Sequence, residues 1–180
     1  MSKIRIEIAD IAYMDTDSIV NAANEGLWEG CGVCGAIFDA AGARELQKAC
    51  DEIGGCPTGH AVITPGFKLN AKYVVHAVGP RWKGTDEDRD LLAACYKDSL
   101  DRAKENGCHS IAFPLISSGV FGCPVDEAWK QAIKGCTEWT EENPDYDMDI
   151  VFAVRKESVK GTGEEALKGF TEEERKERWI

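Results

Sequence analysis

Residues 18 to 42 read SIVNAANEGLWEGCGVCGAIFDAAG, and this stretch decides how the rest of the chain is interpreted. It opens with a short apolar run from Ser18 to Ala22 that predicts a strand, followed by a glycine-rich loop. Apolar residues then return at helical spacing from Val33 to Ala41. A strand, a glycine loop and a helix in this order direct backbone N–H groups and the positive end of the helix dipole at one point. The stretch therefore predicts an anion site of the kind that holds a phosphate.

The same loop contains a motif of dinucleotide-binding enzymes. Gly30, Gly32 and Gly35 spell G-x-G-x-x-G. In the dinucleotide fold this motif follows its strand directly, whereas residues 23–29 intervene here. An NAD-type oxidoreductase is therefore the weaker interpretation of the loop.

The composition is that of one globular domain. The chain has 180 residues, a hydrophobic fraction of 43% and a formal net charge of −11, and this length is enough for one full core. A net acidic chain is not expected to bind nucleic acid, because that affinity comes chiefly from Lys and Arg that neutralise phosphates. The N-terminal residues are too charged for a signal segment, and no long apolar run is present. We expect a cytoplasmic monomer with no membrane partner.

The eight cysteines are expected to be reduced, because no secretory segment places the chain in an oxidising compartment. Four of them fall in or beside helical patterns and are interpreted as small core residues: Cys50, Cys95, Cys108 and Cys136. Cys31 and Cys34 form a C-x-x-C pair, and Cys123 lies in a second glycine loop. A zinc site would need further ligands, which no second pair supplies. We therefore expect neither a metal nor a cofactor.

Strand and helix patterns alternate along the whole chain. Strands are predicted at residues 3–9, 18–22, 61–64, 73–78, 110–113 and 149–154, and helices at 33–53, 86–105, 125–139 and 163–178, the first of which continues past Gly42. The first strand alternates apolar and charged residues, which predicts an edge strand. The continuous apolar run YVVHAV predicts a strand covered on both faces, with His76 as a hydrogen-bonded core residue. The pattern predicts an α/β fold with a parallel or mixed sheet between helix layers.

A second glycine loop follows the fifth predicted strand. Residues 114–124 read PLISSGVFGCP and lead into the helix that begins near Pro124. Small residues at this point allow successive N–H groups to converge on an anion. In open α/β sheets, ligands bind at the carboxyl ends of the strands, where both glycine loops are expected to lie.

Three segments carry a resemblance to a known family. They are VNAAN at 20–24 with its glycine loop and AIFDAAG, the run AVITPGFKLNAKYVVHAVGPRW at 61–82, and PLISSGVFGCP at 114–124. Together they resemble the macrodomains, the modules that bind ADP-ribose, and in particular the MacroD-type and O-acetyl-ADP-ribose deacetylase-like bacterial members. The resemblance covers roughly residues 3 to 155. It implies a three-layer α/β/α fold with a central mixed sheet, and a single macrodomain over residues 1–180 with a charged C-terminal helix at about 163–178.

The resemblance also implies which residues meet the ligand. Asp10 and Ile11 match the pair at the adenine, Asn24 the residue at the distal ribose, and Phe121 the aromatic residue beside that ribose. Phe152 or Arg155 would lie against the adenine ring. The two glycine loops would contribute the remaining contacts through Gly32, Val33, Cys34, Ser117, Ser118, Gly119 and Val120.

Each of these side chains also has a purely structural interpretation. Asp10 at a strand end is typical of a cap or a turn, and Asn24 of a turn or a helix cap. Phe121 could be a core residue, although a phenylalanine between glycines in a loop has few packing partners.

Members of this family either hydrolyse ADP-ribose esters or only bind ADP-ribose. The expected substrates are mono-ADP-ribosylated protein and O-acetyl-ADP-ribose. In the best-known hydrolase subgroup an Asp orients the water, and Cys34 stands at that position here, while Cys31 interrupts the usual triple glycine. Asn24 and Cys34 are the candidate catalytic residues, the thiol only if the helix N-terminus lowers its pKa. The two interpretations are an ADP-ribosyl hydrolase without the loop Asp and a non-catalytic ADP-ribose-binding module.

Overall fold

The structure, a computed structural model, describes the backbone of residues 1–30 and 32–178 and the side chains of residues 1–30 and 32–171. Cys31, one half of the C-x-x-C pair, lies outside the described residues.

A six-stranded sheet forms the centre of the domain. Its strands are β1 (Lys3–Ile8), β2 (Ser18–Ala22), β3 (Ala61–Pro65), β4 (Tyr73–Ala77), β5 (Ser110–Phe113) and β6 (Asp149–Val154). They lie in the order β1-β6-β5-β2-β4-β3. Every neighbouring pair is parallel except β3 and β4, which are antiparallel. The predicted mixed sheet is confirmed, and β1 is an edge strand.

Five helices cover the sheet. They are α1 (Val33–Ala41), α2 (Ala43–Ile53), α3 (Asp86–Glu105), α4 (Val125–Glu142) and α5 (Glu157–Arg178), and a short 3-10 turn spans Ile11–Tyr13. In the described residues, α1 and α2 share one apolar cluster with alternate strand residues such as Ile19 and Val74. The other residues of the same strands, such as Val20 and Val75, pack with α3, α4 and α5. This division gives the three layers, with a core on each face of the sheet.

The buried histidine of β4 is a core residue, as its strand pattern predicts. His76 is fully buried, and its ring nitrogens lie 3.1 Å from Asn21 Nδ2 and 2.9 Å from Thr64 Oγ1. Burial lowers the pKa of His76 to about 4, because a charged imidazole would lose its hydration there. The ring is therefore neutral at neutral pH, accepting from Asn21 and donating to Thr64.

The cysteines assigned to the core are all buried: Cys50, Cys95, Cys108 and Cys136. Cys34, Cys56 and Cys123 are buried as well, and Cys56 and Cys123 are free thiols. Burial raises the pKa of Cys50 to about 11 and that of Cys123 to about 12. Within residues 1–30 and 32–178, no helix is long and apolar enough to cross a membrane.

Candidate functional site

The candidate site runs along one edge of the sheet, where the parallel strands end. Loop 1 (residues 23–32) follows β2, and loop 2 (residues 114–124) follows β5. Asp10 and Arg155 follow β1 and β6. The exit segment (residues 78–85) follows β4, and the entry segment (residues 54–60) precedes antiparallel β3 at the same edge, where Ala61 pairs with Ala77. The topology thus brings six separate segments together, as expected for parallel α/β sheets.

Loop 1 is held in shape by hydrogen bonds from its own Asn24 and from Gln47 of helix α2. Asn24 Nδ2 donates to the Trp28 carbonyl at 3.1 Å, and Asn24 Oδ1 accepts from the Trp28 N–H at 3.0 Å. From α2, Gln47 accepts from the Glu29 N–H at 2.9 Å and donates to the Leu27 carbonyl at 3.1 Å. The turn interpretation of Asn24 is therefore confirmed. An amide has two protons and two acceptor lone pairs, so Asn24 keeps the capacity to bind a sugar hydroxyl.

Helix α1 begins at the end of loop 1. Gly32 is its N-terminal cap, with a φ of 63° that favours glycine. Val33 is 37% exposed, whereas Cys34 is 6% exposed and its Sγ lies 3.9 Å from the Trp28 carbonyl oxygen. The N–H groups of the first helical turn have no partner within the helix. Val33 can therefore serve an anion through its backbone N–H, while the Cys34 thiol faces the core.

Loop 2 presents a row of backbone donors. Among the described residues, the N–H groups of Gly119, Val120 and Phe121 donate no backbone hydrogen bond. Val120 is 94% exposed, and Ser117 has a φ of 66°, a conformation that costs energy for a residue other than glycine. Successive unpaired N–H groups next to such a residue form an anion-binding concavity.

Loop 2 is joined to the exit segment at two points. Ser117 is buried, and its hydroxyl donates to the Pro80 carbonyl at 2.9 Å, while the Trp82 N–H donates to the Phe121 carbonyl at 2.8 Å. The Arg81 guanidinium lies 5.0 Å from the centre of the Phe121 ring. The Ser118 hydroxyl donates to the Leu115 carbonyl at 2.7 Å. Both serine side chains therefore hold the loop, and so does part of their backbone, since the Ser118 N–H donates to the Leu115 carbonyl at 3.4 Å and the Ser117 carbonyl accepts from the Cys123 N–H at 2.9 Å.

Asp10 and Arg155 lie together at the far end of this edge. Asp10 Oδ1 accepts from the Ala12 N–H at 3.1 Å and caps the 3-10 turn, and Asp10 Oδ2 is 3.4 Å from Arg155 Nη1. The Arg155 side chain is 71% exposed, so this ion pair is weak and can be displaced. The predicted cap at Asp10 is confirmed, and one of its oxygens faces the open side of the sheet edge.

Two predicted ligand residues have buried side chains. Phe152 is fully buried between Phe113 and Trp129, with ring centres 5.6 Å and 5.1 Å away. The prediction that Phe152 lies against an adenine ring is wrong, because the register of β6 points it into the core beneath α4. Ile11 is 4% exposed, so only its backbone can reach a ligand.

A pocket adjoins the two loops on the side of β4 and β3. Its volume is about 670 Å³. It is lined by loop 1, the exit segment, the start of α3 and Phe121, with residues that include Asn24, Trp28, Arg81, Lys83 and Leu91. Burial raises the pKa of Asp88 in its wall, but hydrogen bonds from the N–H groups of Lys83, Thr85 and Gly84 outweigh this and lower it overall.

Sequence reasoning missed Trp28 and Arg81. The Trp28 side chain is 67% exposed, and its ring covers Gly26 so closely that a Cβ there would lie 2.5 Å from it. An exposed tryptophan in a glycine loop was the available signal for the first. Nothing in the sequence indicates that Arg81 would stack on Phe121.

Within the described part of the chain, no group of three or more His, Cys, Asp or Glu side chains could hold a metal ion. The polar groups that the site offers a ligand are backbone donors, amides, hydroxyls and a few charged side chains.

The architecture defines an α/β domain in which two glycine loops and a helix N-terminus converge at the carboxyl edge of a mixed sheet. Comparison with known proteins assigns a domain of this class to a family. The Macro domain profile matches residues 20–132. A macro domain-containing protein of Mesorhizobium japonicum is 50% identical over 160 residues, which cover 88% of this chain and 90% of that protein. The chain belongs to the Macro domain family.

Solved structures agree with this assignment. A macrodomain of Oceanobacillus iheyensis, solved with ADP, matches with a TM-score of 0.87 and 39% identity, covering 93% of this chain and 91% of that one. A point mutant of the same macrodomain, solved with ADPR, matches with a TM-score of 0.86 and 37% identity over 95% of each chain. The predicted macrodomain fold is confirmed.

Proposed function

We propose that this protein binds ADP-ribose along the carboxyl edge of its sheet. The observation that carries the proposal is the row of N–H groups at Gly119, Val120 and Phe121, which are unpaired among the described residues and lie at the same sheet edge as the N-terminus of α1. Backbone donors and a helix dipole together suit a diphosphate. Related macrodomains solved with ADP and with ADPR support the same ligand.

The order of groups along the edge matches the order of groups in ADP-ribose. Asp10 offers a carboxylate oxygen above β1, where the exocyclic amine of adenine would donate to it. The two loops hold the diphosphate at the centre, above β5 and β2. Asn24 and Phe121 stand on the side of β4, where the distal ribose would meet an amide for its hydroxyls and a ring for its face.

Titration calorimetry with ADP-ribose, ADP and NAD tests this proposal. ADP-ribose should bind most tightly, because ADP lacks the distal ribose and NAD lacks the hydroxyl on C1″ of that ribose. Equal affinity for the three ligands would show that Asn24 and Phe121 do not recognise the ribose. Absence of binding by all three would reject the proposal.

We further propose that the protein hydrolyses ADP-ribose esters slowly. Asn24 is fixed by its two hydrogen bonds to Trp28, so a bound ribose would be held in one orientation. Positioning alone can reduce a barrier by several kcal/mol. The water lacks the orienting carboxylate of the best-known hydrolases, since Cys34 stands at that place, and the rate should be low for this reason.

A turnover assay on an ester-linked ADP-ribosylated peptide and on O-acetyl-ADP-ribose distinguishes this enzyme from a binding module. Wild type should release ADP-ribose above the uncatalysed rate, and Asn24→Ala should lose that activity. Asn24→Asp serves as a second variant, because it keeps the acceptor for the Trp28 N–H and so preserves part of the loop. No turnover on either substrate, with ADP-ribose binding intact, would establish the binding module instead.

A further inference from the structure

A buried tyrosine of helix α3 contacts the start of loop 2. The Tyr96 hydroxyl accepts from the Ile116 N–H at 2.9 Å and donates to the Pro114 carbonyl at 3.5 Å. Tyr96 is fully buried, and burial raises its pKa well above the ordinary value for a tyrosine, so the hydroxyl keeps its proton and can form both bonds. One side chain from another element therefore satisfies two backbone groups within the first three residues of loop 2.

The position of this hydroxyl is fixed by the packing around its ring. The centre of the Tyr96 ring lies 5.0 Å from that of Phe113 and 6.0 Å from that of Phe152. Helix α4 approaches α3 so closely at Gly135 that a Cβ there would lie 3.2 Å from Tyr96 Cβ and 2.6 Å from the Ala93 carbonyl oxygen. The buried Phe152 thus helps to hold the ring that supports loop 2.

Loop 2 needs support at this point because of the residue that comes next. Ser117 follows Ile116 directly and has a φ of 66°, a conformation that persists only where its surroundings hold it. Its hydroxyl donates to the Pro80 carbonyl of the exit segment at 2.9 Å. The exit segment also packs closely here, since a Cβ at Gly79 would lie 2.3 Å from Ser117 Oγ. The exit segment therefore holds Ser117 itself, and Tyr96 holds the residue before it.

Resting on the proposed function, we propose that Tyr96 is the positioning residue of the phosphate cradle, the row of N–H groups at residues 119–121. Its hydroxyl fixes the Ile116 peptide, and this keeps Ser117 in the conformation from which those N–H groups point together at the diphosphate. Tyr96 itself touches no ligand, since it is fully buried. Core packing does not explain the hydroxyl, because a phenylalanine would fill the same space without a polar group to satisfy.

Tyr96→Phe tests this role, because it keeps the ring and removes only the hydroxyl. ADP-ribose and ADP should each bind about five- to tenfold more weakly, since both present a diphosphate to loop 2. Adenosine, which has no phosphate, should bind as it does to wild type. Titration of both proteins with the three ligands, well below the melting temperature of each protein, measures this pattern.

Amide NMR of the unliganded protein adds a readout that a loss of stability alone would not change. In Tyr96→Phe the amide resonances of residues 119–121 should shift or broaden, because loop 2 samples further conformations. The Val33 amide at the start of α1 should stay in place, because loop 1 is held by Asn24 and Gln47. A spectrum in which residues 119–121 are unchanged would contradict the proposal.

Ser99→Ala is the matched control on the same helix. Ser99 is also fully buried, and its hydroxyl donates to the Cys95 carbonyl at 2.6 Å within α3. This variant also removes a buried hydroxyl, so it should lower the melting temperature but leave the three affinities and the loop 2 amides unaltered. A loss of diphosphate binding as large as that of Tyr96→Phe would overturn the proposal, because any weakening of α3 would then suffice.

The outcomes separate this role from the proposed function. If wild type binds neither ADP-ribose nor ADP, the proposed function is wrong, and the cradle with it. If wild type binds both and Tyr96→Phe binds them equally well, the tyrosine only fills the core. Equal weakening of adenosine and ADP-ribose would also overturn the proposal, because the hydroxyl would then act on the whole site and not on loop 2.

Discussion

Loop 1 and loop 2 meet the same cleft but are built in opposite ways. The polar groups of loop 1 are largely hydrogen-bonded within the protein. Asn24 bonds to Trp28, and Gln47 of α2 bonds to the backbone of Leu27 and Glu29. Loop 2 leaves three successive N–H groups unpaired among the described residues and keeps Ser117 in a strained conformation. Loop 1 therefore acts as a rigid support that aims the N-terminus of α1, and loop 2 supplies the exposed donors. Substitutions in the two loops should fail in different ways.

The largest effect on binding is expected from Gly119→Val in loop 2. A Cβ at Gly119 would meet no atom within 4 Å, so a side chain there enters open space in front of the unpaired N–H groups. We expect ADP-ribose affinity to fall about a hundredfold or more, which is about 2.7 kcal/mol, with an unchanged melting temperature. Calorimetry and thermal melting check the two halves of this prediction.

The matched control is Gly169→Val, because a Cβ at Gly169 on α5 also meets nothing within 4 Å. It should leave binding unaltered. Gly119 is not among the glycines with positive φ, so the effect comes from the volume of the side chain and not from backbone strain. Normal affinity of Gly119→Val would mean that loop 2 is not the phosphate cradle.

In loop 1 the corresponding substitution, Gly35→Ala, should damage structure and binding together. A Cβ at Gly35 would lie 2.8 Å from the Gly30 carbonyl oxygen, so loop 1 must shift away from α1. We expect about a tenfold loss of ADP-ribose affinity together with a lower melting temperature. Gly161→Ala on α5, where nothing lies within 4 Å, is the control. A binding loss without any loss of stability would contradict the view of loop 1 as a support.

Much of the fold follows from the sequence because its patterns are local. The strand at Ser18–Ala22 has the predicted bounds, and so do the two ends of the helix predicted from Val33 to Ile53. The structure divides that helix at Gly42, whose φ is 102°, into Val33–Ala41 and Ala43–Ile53. Helix α5 begins at Glu157, earlier than the predicted residue 163, although glycines at 161 and 163 disfavour a helix. A Cβ at Gly163 would lie 2.6 Å from the Trp129 ring, so this glycine is required by packing against α4. A contact between two helices cannot be inferred from the sequence of one of them.

The site was less predictable than the fold, because its properties depend on which face of an element a side chain occupies. The family motifs locate both loops, but they do not reveal that Phe152 points into the core or that the Cys34 thiol is buried. The pocket beside the loops combines segments from loop 1, the entry and exit segments and α3. Only the sheet order brings these segments together.

A smaller effect is expected at the far end of the edge, where neither loop contributes. Asp10→Ala should weaken ADP-ribose binding by about 1.5 kcal/mol, the lower end of the range for a hydrogen bond to a charged group, because Asp10 is partly exposed and already paired with Arg155. Competition binding against wild type measures it. Asp15→Ala, an exposed carboxylate nearby, is the control. Unchanged affinity in a folded Asp10→Ala variant would leave Asp10 as a turn cap only.

The smallest effect is expected from Cys34→Ala. The thiol is 6% exposed and faces the core, so its removal should keep most of any hydrolytic rate while costing some stability. Single-turnover assays on an ester-linked substrate give the rate. A variant that binds ADP-ribose normally but has no activity would make the thiol catalytic.

The central claim, that loop 2 and the start of α1 hold the diphosphate with backbone N–H groups, is tested most directly by amide NMR during a titration with ADP-ribose. We expect the largest shifts at Gly119, Val120 and Phe121 and at Val33, with downfield movement of the loop 2 amides as they begin to donate. If these amides stay in place while ADP-ribose binds, the diphosphate is held elsewhere and the account is contradicted.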